Sequence, residues 1–422
     1  MGYGFKEWMS VIINKKDNPF KNNFSKIYPK NSNDQLKRLK NLFNKSNELD
    51  FKGDLFVARA PGRLELIGNY QDNLPIGNTL SCTTNLDTLG VAAKNNGQIR
   101  IYDTNPRFPR FNSKTSDLKF IVPNIEQGYS SFLIGLFQHL IDNYSDFKGI
   151  DIVLDGKVPI GSGCSSSAAL ELTVLQLATD TYNIKLSDME KTIITKDSEN
   201  KVKGCGFLDQ GTVSIGGIVY GDYSTKIPSF KRLDYPWFSD QKLITVIPGE
   251  EHGSKKSTES YNSIRPDLEK VADFVGKDVM AGNESRFLNL YQNIEGKIGE
   301  EKRILERGKF YIEEYNRVKI AKMALHRDIS DSSIFGQMIN LSGDGSKNYL
   351  KNTTGEINDG ISVARAKGGY ARVHGGGFGG GYLVMINDSK LDELIQATKC
   401  WFPKAKINVH EIDNFGTCSI KL

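Results

Sequence analysis

The chain has little of what builds disulfide-linked, zinc-binding or membrane proteins. Among its 422 residues are only 5 cysteines and 5 histidines. No two cysteines form a CxxC pair and the histidines have no ligand spacing, so we expect neither a disulfide framework nor a zinc site, as in a reducing cytoplasm. No apolar run reaches the roughly 18 to 20 residues of a membrane span, and the first ten residues lack the apolar core of a signal peptide. We therefore expect a cytoplasmic protein with no membrane partner.

An excess of one charge sign is also nearly missing. Lys and Arg number 55 against 50 Asp and Glu, which gives a formal net charge of +5. Because the basic residues are mixed with acidic ones and form no stripe with aromatics, we expect no nucleic-acid partner. The composition, 38% hydrophobic and 25% charged, is that of a globular protein. Whether the protein is a monomer or a homodimer stays open.

The pattern along the chain predicts an extension followed by two domains. Residues 1–50 are rich in Lys and Asn, and 34–47 carry leucines at helical spacing, which predicts an amphipathic helix. Since the length exceeds one ordinary core, we expect one domain over 51–240 and another over 241–422. Hairpin-like strands mixed with separate helices favour an α+β architecture over a doubly wound sheet. We predict strands at 55–61, 62–68 (after a Pro-Gly turn), 149–156, 242–249 and 382–387, and helices at 165–183 (with a Ser cap) and 299–326.

The strongest local signal is the segment VPIGSGCSSSAALE at 158–171. A strand ends, a glycine-rich turn follows, and a helix begins with three serines. The glycines let the backbone approach an anion, and the helix start offers free N–H groups and a positive dipole end. Serine hydroxyls can bind phosphate or magnesium. No GK[ST] follows, so this is not a Walker A loop. We expect a phosphate-binding loop formed by Pro159, Gly161, Ser162, Gly163, Cys164, Ser165, Ser166, Ser167 and Ala168.

Four segments together resemble the motifs of the GHMP kinases, and of galactokinases in particular. They are ARAPGRLELIGNYQD (58–72), the loop at 158–171, GCGFLDQG (204–211) and RVHGGGFGGGYLVMI (372–386). A weaker match is HGSKKSTESYNSIR (252–265). Each glycine run alone is unspecific, whereas four motifs in family order over about 55–390 are specific. The resemblance implies a two-domain GHMP-kinase-like fold with the active site in the cleft between the domains. It also implies ATP and Mg²⁺ as cofactors and a sugar 1-kinase activity.

The resemblance also assigns roles to single residues. Phosphoryl transfer needs an in-line hydroxyl, charge neutralisation and magnesium. The family's base is matched by Asp209, and its neighbouring arginine by Arg63. The family's magnesium ligands are matched by Ser167 and a carboxylate, either Glu199 by its Glu-Asn pair or Asp197 by ungapped spacing, of which we prefer Glu199. The third glycine motif, which supplies backbone freedom near the site, is Gly375, Gly376, Gly377, Phe378, Gly379 and Gly380.

The sugar-contacting positions depart from the family pattern. Asp72 is kept, but the family's Glu and His become Asn69 and Tyr70; Gly206 and Tyr261 are further expected contacts. Losing a carboxylate removes a discriminating acceptor, so we expect the far end of the pocket to lack negative charge. Galactose is the family default, and L-arabinose or galacturonate are alternatives. A non-catalytic sugar- and ATP-binding regulator is a further alternative. It is disfavoured because 165–169, Arg63 and Asp209 are retained.

Overall fold

The computed structural model describes residues 3–13, 19–74, 76–106, 108–124, 128–249, 260–275, 292, 296–327 and 331–420. Helices and strands are mixed, which confirms the predicted α+β class. None of the helices in the described ranges is both long and apolar enough to span a bilayer. The helices are α1 (Phe5–Ile13), α2 (Pro19–Ile27), α3 (Ser32–Glu48), α4 (Thr115–Leu118), α5 (Ser130–Asn143), α6 (Ser166–Tyr182), α7 (Asp188–Asn200), α8 (Leu208–Ile215), α9 (Ile264–Val275), α10 (Gly299–Arg327), α11 (Ser333–Gly345), α12 (Gly355–Ala366) and α13 (Leu391–Trp401).

The strands form two sheets. The strands are β1 (Leu55–Ile67), β2 (Asn78–Lys94), β3 (Gln98–Asp103), β4 (Phe111–Lys114), β5 (Ile150–Gly156), β6 (Ile218–Asp222), β7 (Ser229–Leu233), β8 (Gln241–Ile247), β9 (Tyr370–His374), β10 (Gly381–Asn387), β11 (Lys406–His410) and β12 (Cys418–Ile420). The larger sheet has the order β12-β1-β2-β5-β3-β4, with β6 on β2 and β7 on β6, and the smaller has the order β11-β8-β10-β9. Strand β12 thus returns to the first sheet, and the division at residue 240 stays a prediction.

Strand β1 differs from its prediction. We expected two strands separated by a Pro-Gly turn, but Leu55–Ile67 is one strand of 13 residues. The register against β2 shifts between Pro61 and Arg63. At this shift the Arg63 amide donates to the Cys164 carbonyl at 3.1 Å, and a Cβ on Gly62 would lie 2.9 Å from the same oxygen. The Pro-Gly pair therefore marks an irregularity within one strand, at the point where the strand contacts residues 158–171. The prediction of a turn between two separate strands was wrong.

The N-terminal helices cover one face of the larger sheet. The amphipathic helix predicted at 34–47 is confirmed as α3, whose Leu39, Leu42 and Phe43 are buried. They share a core with Trp8 and Phe24 and with apolar residues of β1, β2 and β5. Burial of such side chains contributes about 1.5–3 kcal/mol each. The extension is therefore an integral layer of the first sheet.

Helix α6 carries the serines of the predicted phosphate-binding loop. Its residues are buried on nearly every side, and it packs against β1 and β2. The predicted helix is confirmed, but the predicted serine cap is not, because Ser165 at the N-cap position has a left-handed backbone and makes no side-chain cap hydrogen bond. The predicted strands at 149–156, 242–249 and 382–387 and the helix at 299–326 are confirmed within one or two residues of their predicted ends.

Candidate active site

All four matched segments meet at one cavity of about 670 Å³. Most of the predicted site residues border it, from both sheets. Ser162, Ala168, Phe378, Gly379 and Gly380 do not. The predicted residues that line the cavity are Arg63, Asn69, Tyr70, Asp72, Pro159, Gly161, Gly163, Cys164, Ser165, Ser166, Ser167, Glu199, Gly206, Asp209, Tyr261, Gly375, Gly376 and Gly377. The weaker match at 252–265 lies outside the described residues up to 259, and its Tyr261 is at the cavity.

Arg63 connects the candidate base to the glycine-rich loop. Its Nε and Nη2 donate to Asp209 Oδ1 at 2.9 and 2.5 Å, and its Nη1 donates to the Gly163 carbonyl. Burial lowers the pKa of Arg63, but Asp209 and Glu65 outweigh it and raise the pKa above its ordinary value. The guanidinium is therefore a permanent charge. It fixes Asp209, at the first turn of α8, relative to the loop before α6.

Asp72 lies on the same side of the cavity as Asp209. It belongs to a short 3₁₀ turn after β1, and its Oδ2 accepts a hydrogen bond from the Leu208 amide at 3.3 Å. A side chain at position 206 would overlap this carboxylate, so Gly206 is required there. Burial, and then the charge of Asp209, raise the pKa of Asp72 to about 6. Asp72 can therefore accept, or when protonated donate, hydrogen bonds to a ligand.

Asn69 and Tyr70 are bound to the third glycine motif. Asn69 Nδ2 donates to the Gly375 carbonyl at 2.7 Å, and the Tyr70 hydroxyl donates to the Gly376 carbonyl at 2.6 Å. The Tyr70 ring also packs at 5.6 Å from that of Tyr261. The two substitutions thus give the cavity a wall that holds the first and third motifs together.

Sequence reasoning missed Glu65, a second carboxylate at this end of the cavity. Its Oε1 lies 2.9 Å from Arg372 Nη2, and its Oε2 accepts from Asn69 Nδ2 at 3.3 Å. Arg372 balances the charge of Glu65, so the expectation that the far end of the pocket lacks negative charge stays a prediction. Glu65 could have been found because residues two apart on a strand share a face, and it lies two positions after Arg63.

The third glycine motif is a loop between β9 and β10. Gly375, Gly377, Gly379 and Gly380 all have positive φ, which side chains rarely adopt. Phe378 also has φ 57°, held by a hydrogen bond from its amide to the Asn352 carbonyl at 2.6 Å. The backbone conformation of this loop therefore requires glycine at these four positions.

His374, which precedes this motif, was also missed. Its Nδ1 lies 3.1 Å from the Ser162 carbonyl, and its Nε2 lies 3.2 Å from the Glu65 amide. Burial, and then the charge of Arg63, lower the pKa of His374 well below its ordinary value. The ring is therefore neutral, with Nδ1 as donor and Nε2 as acceptor. It joins the glycine-rich loop to β1.

The loop before α6 has the geometry of an anion-binding turn. Gly161, Gly163 and Ser165 have φ of 71°, 74° and 57°. The Ser165 hydroxyl is buried with no hydrogen-bond partner among the described residues. The first turn of a helix has amides without intrahelical acceptors and the positive end of the dipole. The cavity is therefore bordered by donors suited to phosphate oxygens.

Ser167 and Glu199 form the candidate magnesium pair. Ser167 Oγ donates to Glu199 Oε1 at 2.9 Å. Glu199 is buried, whereas Asp197 is 62% exposed and pairs with Lys196. This geometry favours Glu199. A hydroxyl and a carboxylate are hard oxygen donors, which suit Mg²⁺ when phosphates and water complete its shell. Among the described residues no group of three or more His, Cys, Asp or Glu could hold a metal alone.

Comparisons with known proteins agree with this architecture. The family model "GHMP kinases N terminal domain" matches residues 131–217. A galactokinase from Actinobacillus succinogenes is 26% identical over 386 residues, covering 88% of this chain and 93% of that protein. A galactokinase from Clostridium perfringens is 27% identical over 347 residues, covering 80% and 87%.

Solved structures extend the comparison to the fold. Lactococcus lactis galactokinase complexed with galactose has a TM-score of 0.74 at 20% identity, covering 90% of this chain and 99% of that one. Methanococcus jannaschii mevalonate kinase has a TM-score of 0.64 at 16% identity, covering 86% and 99%. Residues 131–217 therefore resemble the N-terminal domain of the GHMP kinases, and the overall fold is similar to those of a galactokinase and a mevalonate kinase. The chain is similar to galactokinases over most of its length, which confirms the predicted resemblance and the predicted fold.

Proposed function

We propose that the chain is an ATP-dependent sugar kinase of galactokinase type. It transfers the γ-phosphoryl group of ATP to the anomeric hydroxyl of galactose or a galacto-configured sugar. The observation that carries this proposal is the Arg63–Asp209 pair, which faces the same cavity as the start of α6. Its support also includes the similarity to curated galactokinases.

Asp209 acts as the base in this proposal. Both Arg63 contacts go to Oδ1, so Oδ2 is the oxygen offered to a sugar hydroxyl. Arg63 orients the carboxylate, and its charge offsets negative charge that develops on the transferred group. Because Arg63 also binds the Gly163 carbonyl, one side chain sets the distance between base and nucleotide loop. Such positioning is the main contribution a protein makes to phosphoryl transfer.

The start of α6 binds the phosphates of ATP in this proposal. The amides of its first turn and the serine hydroxyls at 165–167 provide donors without bulky side chains. Ser167 and Glu199 would hold Mg²⁺, which when bound neutralises phosphate charge. The cleft between the two predicted domains, 51–240 and 241–422, is the location we propose for the reaction.

The cavity favours a neutral sugar. The described lining residues include four carboxylates, Glu65, Asp72, Glu199 and Asp209, and two cations, Arg63 and Lys203. The side-chain donors of Asn69 and Tyr70 that would otherwise face a ligand are used by the third motif. Asp72 is then the main acceptor for ring hydroxyls, through charge-assisted hydrogen bonds. A uronate would meet repulsion, so galactose and L-arabinose are better candidates than galacturonate.

A sugar panel tests this function. ADP release with ATP and galactose, L-arabinose or galacturonate should show turnover of a neutral galacto-configured sugar, and NMR should identify a 1-phosphate. Comparable or faster turnover of galacturonate would contradict the charge argument. ATP binding without ADP release for any sugar would instead support the non-catalytic regulator.

A further inference from the structure

We propose that Lys203 is a phosphate-binding cation of this site that contacts the terminal phosphate of the nucleotide. The inference rests on the proposed kinase function and adds a residue that the motif comparison did not single out.

The turn after α7 places Lys203 beside the start of α6. Helix α7 ends at Asn200, and the amides of Val202 and Lys203 both donate to the Glu199 carbonyl at 2.9 Å. This turn folds the lysine back, so that its Nζ lies 2.9 Å from Glu199 Oε1. The same oxygen accepts the hydrogen bond from Ser167 Oγ. One carboxylate oxygen therefore separates the ammonium from the first turn of the helix that we assign to the phosphates.

Lys203 is also accessible and charged. Its side chain is 47% exposed and borders the cavity, and its Nζ lies 5.3 Å from the Phe132 ring centroid. A lysine ammonium beside a carboxylate is a cation at neutral pH, and this one is open to the space that a ligand would fill.

The charge balance of the cavity assigns this cation to the nucleotide. Each of the three nitrogens of Arg63 already donates to Asp209 or to the Gly163 carbonyl. An ammonium has three donors, of which the Glu199 contact accounts for one. A triphosphate brings further negative charge into a cavity bordered by four carboxylates, and Lys203 is the other cation among the described lining residues. Lysine binds phosphate as a point charge.

The terminal phosphate is the one within reach. Asp209 must meet the sugar hydroxyl, and the transferred phosphoryl lies between that hydroxyl and the loop before α6. Lys203 and Asp209 border the same cavity. An ammonium beside Glu199 in this cavity therefore faces the γ-phosphate more directly than the rest of the nucleotide.

The test compares Lys203→Met, Lys203→Arg and the control Lys201→Met. Lys201 lies two positions away, contacts Gln138 at 3.2 Å and does not border the cavity. Calorimetry measures the affinity for Mg-ATP and for Mg-ADP without sugar, and thermal melting checks each fold. We expect Lys203→Met to weaken ATP binding about 10- to 100-fold, as for hydrogen bonds to charged groups, and ADP binding only a few-fold. Lys203→Arg should restore most of the ATP affinity, and Lys201→Met should match the wild type.

Equal losses for ATP and ADP, or a Lys203→Met variant that behaves like Lys201→Met, would overturn the assignment. If the methionine variant does not fold, Lys203→Gln gives the same comparison without the charge. A wild-type protein that binds neither nucleotide would contradict the kinase function itself, and so the two failures are distinguishable.

Discussion

Arg59 and Arg63 lie on the same strand, β1, and each is buried beside carboxylates, yet their surroundings differ. Arg59 is fully buried, with Asp87 and Asp413 each 2.7 Å from a guanidinium nitrogen. Arg63 pairs with Asp209, which is 30% exposed at the cavity. The first arrangement is closed to any ligand, and the second is open on the side of the carboxylate. The same pair of residue types is therefore enclosed in the fold at one position and borders the cavity at the other.

The closed arrangement includes the N-terminal extension. Arg38 of α3 forms ion pairs with Asp87 and with Asp155, the latter at 2.7 Å, and the Tyr28 hydroxyl donates to Asp87 at 2.6 Å. Because every member is buried or nearly so, removal of one leaves buried charge that its remaining partners compensate less well. Breaking a buried pair in this way typically costs about 3–5 kcal/mol. This network gives residues 1–50 a role in stability.

Asp209→Asn should show the largest difference between the open Arg63–Asp209 pair and the closed Arg59 network, because it should affect activity much more than stability. Loss of a positioned base typically lowers kcat about 10²–10⁴-fold, while the melting temperature should change little because Asp209 is partly exposed. The matched control is Asp413→Asn, which should lower stability and leave kcat of the folded protein near that of the wild type. Steady-state kinetics and thermal melting check both. Near-normal turnover by Asp209→Asn would remove it from the mechanism.

Arg59→Met should lower stability more than a change at the open Arg63–Asp209 pair does. We expect the free energy of unfolding to fall by about 3–5 kcal/mol, because Asp87 and Asp413 lose a buried partner. Urea denaturation measures this loss. Arg63→Met should cost less stability and abolish most activity. If both variants lose equal stability, the distinction between closed and open pairs is wrong.

His410 is another buried titratable group that is closed to ligands, and its burial makes stability depend on pH. It is buried, its Nε2 lies 2.7 Å from Thr245 Oγ1, and burial lowers its pKa from 6.5 to about 4. Since the unfolded chain binds the proton first, stability is full above about pH 6.5 and is lost as the pH falls. The loss is about 1.4 kcal/mol per pH unit. Between pH 7 and pH 5, urea denaturation should show a smaller decrease for His410→Gln than for the wild type. An unchanged decrease would contradict this assignment.

Gly163→Ala tests whether the cavity depends on the left-handed backbone conformation of its glycine-rich loop. The residue has φ 74°, and a Cβ would lie 3.1 Å from His374 Nδ1. A left-handed conformation costs about 1–2 kcal/mol for a residue with a side chain, so we expect Mg-ATP binding roughly 5- to 30-fold weaker by calorimetry. Gly97→Ala is the control, because Gly97 has φ 88° but no atom within 4 Å of its Cβ position. Equal ATP affinity in the two variants would count against the placement of the nucleotide.

Local sequence was sufficient for the parts of the site that depend on local chemistry. The glycines and serines at the start of α6 are short patterns that predicted an anion-binding loop, whereas the resemblance to the GHMP kinases supplied Arg63, Asp209 and the expected sugar contacts. Arg59 and Arg63 both belong to the matched ARAPGR run, and their different partners lie far along the chain. The spacing could therefore not predict which of the two arginines forms a fully buried ion pair and which one borders the cavity.

The errors came from contacts between distant segments. Pro61 and Gly62 usually end a strand, but the Cys164 carbonyl takes the Arg63 amide and β1 continues. The contact of the Asn69 amide with Gly375, which is 306 positions away in the chain, could likewise not be predicted from the sequence. Lys203 follows Glu199 by four residues, a spacing that predicts an ion pair on a helix. This spacing could be seen in the sequence, but Lys203 matches no position of the family motifs and was therefore not predicted.

The position of β12 has a consequence for synthesis of the protein on the ribosome. Strand β1 pairs with β2 on one side and with β12 on the other, where Val57 lies opposite Ile420. At about 5–20 residues per second, the interval between translation of the two strands is roughly 20–70 s. During this time one edge of the strand that carries Arg59 and Arg63 lacks its final partner, and unpaired edges invite pairing with other chains. Until β12 is synthesised, the nascent first sheet thus exposes a strand edge that can pair with another chain.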